Sequence, residues 1–274
     1  MSSNKTHPFH VIDPSPWPVL MCAALFIFAF GAVLFLHGKD YGALTFFIGF
    51  TSVAIISVLW WRDVIREGLV EKAHTNSVRI GLRIAMALFI ISEVAFFFVF
   101  FWSFFKAWLA PIGIIQPGDV WPSAEGVWPP EGIKTFDPWD LPFMNTLVLL
   151  LSGTTVTWAH YALDDDNMEE MAQALGITVL LGFAFTLLQA YEYSHASFKF
   201  TDGIYPSNFY LTTGFHGLHV IIGTIFLLVN YFRAKSGHFK KGNGHLGFEF
   251  AAWYWHFVDV VWLFLFVFLY ILAR

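Results

Sequence analysis

The 274-residue chain has one cysteine and little charge: 15 Lys and Arg with 20 Asp and Glu make up 13% of it. Soluble domains carry about a quarter charged residues. The lone Cys22 excludes an internal disulfide and any cluster ligated by several cysteines, and within an apolar run it reads as a buried, inert thiol. A net charge of −5 offers no basic surface for nucleic acid. Internal repeats are lacking, as are a Gly-rich phosphate loop, a serine nucleophile elbow and a zinc-binding helix motif. The start, MSSNKTHPFHVIDPSPWP, does not run from basic to apolar as a secretory signal does. Residues 1–16 are therefore expected to persist as a polar N-terminal arm.

What is abundant is hydrophobic: 57% of residues, with 33 Phe and 12 Trp. Seven apolar segments are long enough for the ~30 Å hydrocarbon core of a bilayer. They are Trp17–Leu36, Tyr41–Trp61, Asn76–Leu109, Pro142–Ala162, Glu170–Ser197, Asn208–Arg233 and Gly247–Leu272. The pattern predicts an all-α membrane protein of seven transmembrane helices. Residues 17–61 hold helices 1–2 and residues 62–274 hold helices 3–7, with a Pro-, Gly- and Trp-rich connection over Ala110–Leu141. Lys and Arg near the helix ends set the orientation. Lys5, Arg62, Arg66, Lys72, Arg79, Arg83, Arg233, Lys235, Lys240 and Lys241 fall on one side, against Lys39, Lys106, Lys134, Lys199 and Arg274 on the other. The richer side is the inner one, which predicts the N-terminus inside and the C-terminus outside.

Ionisable residues at membrane depth are costly and usually face protein. Glu93 lies ten residues beyond Arg83, hence ~15 Å deeper and near the midplane. It must be protonated or paired there, as a proton-exchanging group, as a lipid or helix-packing anchor, or as a protonated acid bonding to a neighbouring helix. His216 and His219 share a helix face at i, i+3. They lack the further ligands a metal needs, so a structural role is expected and no metal site is predicted. The stripe Glu249, His256 and Asp259 and the pair Glu192 and His195 extend the pattern of buried polar contacts between helices. Arg66, His74, Arg83 and Arg233, near Trp60 and Trp61 at the inner headgroup level, read either as phospholipid ligands or as ordinary positive-inside topology.

The strings HPFHVIDPSPWP, WWRDVIREG, GLRIAMALFIISEVAFFFVFFW, VWPPEGI, NTLVLLLSGTTVTWAH, TGFHGLHVIIGT and GFEFAAWYWHFVDVVWLFLF closely resemble subunit III of the haem-copper cytochrome c oxidases. They extend from the N-terminal arm to the last helix. The resemblance implies two helices separated from five by a V-shaped cleft filled with phospholipid. It implies a non-redox subunit with no catalytic residue and no bound cofactor. Haems and copper would reside in partner subunits, subunit I in direct contact and subunit II receiving electrons from cytochrome c. The complex would reduce oxygen to water and pump protons, with this chain holding lipid, stabilising subunit I and supporting proton uptake.

Position by position, the resemblance makes Glu93 the family's buried, carbodiimide-reactive glutamate. It associates Trp61, Arg66, His74, Arg83, His219 and Arg233 with the cleft lipids, and His7 and His10 with an arm near the proton-uptake entrance. The chain departs from many relatives at Tyr161 and Gly244, where a histidine is usual, and in a longer loop over Phe239–Gly244. Both changes weaken a proton-collecting role for the inner surface. The alternatives are the equivalent subunit of a quinol oxidase, a stand-alone proton-coupled transporter working through Glu93, and a membrane metalloenzyme. The expected location is a bacterial cytoplasmic membrane, with the mitochondrial inner membrane as the other choice.

Overall fold

The computed structural model describes residues 14–71, 74–109, 128–130, 132–239 and 245–272. Among them are seven helices long and apolar enough to cross a membrane: α1 (Trp17–Leu36), α2 (Gly42–Leu69), α3 (Asn76–Leu109), α4 (Leu141–Asp164), α5 (Met168–Ser194), α6 (Ile204–Lys235) and α7 (Leu246–Leu265). A π-helical turn, Phe266–Ile271, continues α7. No strand occurs among the described residues. The all-helical, seven-span architecture is the one the apolar segments predicted. The chain divides into two compact units, Met1–Leu82 and Arg83–Arg274.

In the first unit α1 and α2 pack at very short range. A Cβ on Gly31 would overlap the backbone of Phe46, and one on Gly49 would overlap the backbone of Phe28. Small residues let membrane helices approach this closely, where lipid removes any hydrophobic drive between them. Trp17 adds a polar clasp, its indole N–H donating to Asp63 at 2.8 Å. Helix α2 runs eight residues past the predicted end at Trp61. The apolar run stops at Arg62, but DVIREGL forms helix readily outside lipid, so charge ends the span without ending the helix.

The second unit joins α4, α5, α6 and α7 through side-chain hydrogen bonds. Trp255 donates to Ser152 and Trp262 to Thr146, each at 2.9 Å, two rungs between antiparallel α7 and α4. Thr155 bonds Thr178 across α4 and α5, and Tyr193 bonds Thr213 across α5 and α6. Helix α3 meets this group through rings: Phe97 against Phe257, Phe101 against Phe264 and Phe105 against Phe268. Around this core Leu88, Phe98, Leu180, Phe183 and Ile225 stand exposed. An apolar exterior of this extent fits a surface whose solvent is lipid.

Two helix starts lie more than one residue from the reading of the sequence. Helix α5 begins at Met168 because Asn167 caps it, accepting from the Glu170 amide while its own side chain donates to the Glu170 carboxylate. Helix α6 begins at Ile204, and Pro206 is accommodated in the first turn, where its missing N–H has no helical partner to lose. Replacing Gly49 with Ile should separate α1 from α2. We expect a loss of roughly 1–3 kcal/mol, read as lower thermal stability and faster proteolysis of the α1–α2 connection.

Candidate functional site

Helices α3 and α6 bring Glu93 and His219 together. The His219 Nε2 lies 2.9 Å from Glu93 Oε2, and both side chains are largely buried. The other ring nitrogen, Nδ1, donates to the Phe215 carbonyl at 2.6 Å. A carbonyl only accepts, so Nδ1 carries a proton and Nε2 meets Glu93 either as acceptor or as part of an imidazolium. One further proton is therefore shared across the contact: a glutamic acid donates to imidazole, or an imidazolium donates to a carboxylate. The Phe97 and Tyr254 ring centres lie 5.0 Å and 6.2 Å from that of the imidazole. The partner that Glu93 required by its depth is thus a residue singled out separately as a lipid contact.

Arg83 pairs with Glu249. Its Nε donates to Oε1 at 3.0 Å and its Nη2 to Oε2 at 2.9 Å, a two-pronged bond from α3 to α7. Sequence reading put Glu249 on a stripe with His256 and Asp259, but the structure separates them. His256 Nδ1 faces Asp259 Oδ2 at 3.5 Å, while Glu249 turns to Arg83. The signal was depth: Arg83 is the eighth residue of α3 and Glu249 the fourth of α7.

Arg233, near the end of α6, has no carboxylate partner among the described residues. Its Nη1 donates to Asn230 Oδ1 at 3.1 Å and its guanidinium lies 4.6 Å from the Phe239 ring centre. The buried Nε has no hydrogen-bond partner. A side chain at Gly247 would collide with Nη1, so that glycine makes room for the cation. The first unit carries Trp61, Arg66 and His74. Trp61 is exposed, Arg66 faces Glu71 at 3.9 Å, and a Cβ on Gly68 would sit 3.1 Å from His74 Nδ1. His7 and His10 lie outside the described residues.

His216 is fully buried, its Nε2 donating to the Val258 carbonyl at 3.2 Å and its ring against Trp262. Among the described residues no three His, Cys, Asp or Glu side chains are grouped to hold a metal. Cys22 is exposed rather than buried, because most residues of α1 are exposed. Glu192 and His195 do not pair. Glu192 is fully buried and accepts from Tyr270 at 2.7 Å, whereas His195 is exposed and bonds the Tyr191 carbonyl. Tyr270 was missed because the π-helical turn that presents it has no recognised sequence signature.

The profile of the family described as "Cytochrome c oxidase subunit III" matches residues 7–274. This chain belongs to the cytochrome c oxidase subunit III family. Among subunit III relatives, "Probable cytochrome c oxidase subunit 3" of Rickettsia felis is 63% identical over 268 residues, 97% of this chain and 96% of the relative. "Cytochrome c oxidase subunit 3" of Prototheca wickerhamii is 53% identical over 97% of this chain and 98% of its own length. The Arabidopsis thaliana protein of the same name is 48% identical over 98% of both chains. As a subunit III, the chain is one component of an oxidase complex, and it places Glu93 against His219 and Arg83 against Glu249.

Replacing Glu93 with Ala leaves the buried His219 Nε2 without a partner, a loss of roughly 1–3 kcal/mol. Glu93→Gln retains a donor and should remain closer to wild type. Thermal unfolding of the purified complex compares the two, and equal effects would separate the contact from stability.

Proposed function

We propose that this chain is the non-redox subunit of a proton-pumping cytochrome c oxidase, where it holds phospholipid, braces subunit I and keeps proton uptake into it fast. The match to subunit III over nearly the whole chain supports the assignment to the oxidase, and the names of the relatives favour cytochrome c over a quinol as donor. Electrons would enter through subunit II and reach haems and copper in subunit I. Oxygen is reduced to water there, not on this chain.

Arg233 carries the lipid reading. A guanidinium half out of water, with a buried nitrogen unpartnered and no carboxylate beside it among the described residues, is short of one anion. A phospholipid phosphate at the inner headgroup level supplies that anion in the geometry an arginine fork prefers. Trp61, Arg66, His74, Arg83 and His219 are proposed to contribute to lipid retention, Arg83 and His219 through their bonds to Glu249 and Glu93. His7 and His10 would buffer protons near the uptake entrance. The inner side is the one bearing the N-terminus, in a bacterial cytoplasmic membrane, since Rickettsia relatives reach 63% identity against 53% and 48% for the algal and plant ones.

Arg233→Ala should deplete tightly bound phospholipid from the purified oxidase, measured by mass spectrometry, while the haem spectrum stays unchanged. Unaltered lipid content counts against the assignment. An oxidase prepared without this chain should still transfer electrons at first, with slower proton delivery at high pH and a shorter catalytic lifetime. Full turnover and an undiminished lifetime would overturn the supporting role.

A further inference from the structure

A groove of about 960 Å³ follows the seam between α5 and α6, starting where α5 begins and α6 ends. Ala172 and Gly176, one turn apart, line it together with Leu180 and Tyr231. A Cβ on Gly176 would already stand 3.4 Å from the Tyr231 ring, so a larger side chain there would fill the channel. The lining extends from Met168 to Leu180, ~18 Å along the helix at 1.5 Å per residue. That is close to the ~15 Å depth of one bilayer leaflet.

Two opposite charges stand at the mouth. Lys235 holds its ammonium 4.7 Å from the Tyr231 ring centre, and Glu169 opens the first turn of α5. Neither forms an ion pair among the described residues. Lys235 is two residues beyond Arg233, ~200° around the helix, so the two cations face different surroundings. Between the two charges the lining is largely apolar, with Ala172, Ile177, Val179, Leu180 and Leu228, a surface suited to hydrocarbon chains.

We propose that this groove binds one phospholipid with a primary-ammonium headgroup, its phosphate on Lys235, its ammonium on Glu169 and its tail over Ala172 and Gly176. A purely anionic headgroup would meet Glu169 unfavourably, and a trimethylated one has no N–H to give that carboxylate. The site is distinct from the one assigned to Arg233 and stands or falls independently of it.

The purified oxidase complex, washed and exchanged into bilayer discs of ethanolamine, choline or glycerol phospholipid, provides the test through native mass spectrometry of retained lipid. Gly176→Leu should remove one tightly held phospholipid per chain. The paired change Glu169→Gln and Lys235→Gln should lower the preference for ethanolamine over choline lipid by ~5-fold. Unchanged lipid number and headgroup preference in both variants would overturn the proposal. So would loss of a neighbouring subunit from Gly176→Leu with lipid retained, which assigns the groove to a helix. If Gly176→Leu fails to assemble, the exposed rim variant decides by the same measurement. Arg233→Ala, tested in parallel, should remove a different lipid, so failure at one site leaves the other readable.

Discussion

A polar group inside hydrocarbon has no water to fall back on, so each must find its partner within the protein. That constraint organises the second unit of this subunit III. Glu93 meets His219, Glu192 meets Tyr270, and the two indoles of α7 meet hydroxyls of α4. Without the hydrophobic drive that assembles soluble bundles, these bonds and the ring contacts of α3 decide which helix sits beside which. The first unit uses the other available device, backbones brought together by glycine, with one polar clasp at Trp17 and Asp63.

The contact between Glu93 and His219 joins two roles that look separate along the chain. The carboxyl needs a proton or a partner at its depth, and the imidazole supplies whichever is lacking. His219 Nδ1 is committed to the Phe215 carbonyl, which leaves Nε2 as the ring nitrogen that faces Glu93. The pair is a hydrogen-bonded link between α3 and α6. Arg83 and Glu249 form the corresponding link between α3 and α7 nearer the start of both helices.

Much of the fold was legible because bilayer thickness fixes span length and because charge seldom enters a span. The start of α1 and both ends of α3 follow from composition alone. The end of α2 did not, since DVIREGL leaves the apolar run without breaking the helix. At the site, depth along each helix revealed that Glu93 needed a partner but not which one, because pairing depends on helix order and rotation. Periodicity grouped Glu249 with His256 and Asp259 on one face, yet a neighbouring helix took Glu249 away through Arg83. The π-helical turn lay beyond pattern reading altogether. It widens the last turn of α7 and delivers Tyr270 to Glu192, while Tyr205 reaches the Leu269 carbonyl at 3.4 Å.

These partners are distant in sequence: 166 residues separate Arg83 from Glu249, 126 separate Glu93 from His219, and 78 separate Glu192 from Tyr270. A ribosome delivers the spans from the N-terminus onward, so the carboxylates of α3 and α5 reach the bilayer before the groups that satisfy them exist. Until α6 and α7 have emerged, those side chains are unsettled passengers in lipid. Arrival of the last span is what closes the bundle, which makes an incomplete nascent chain chemically distinguishable from a finished one.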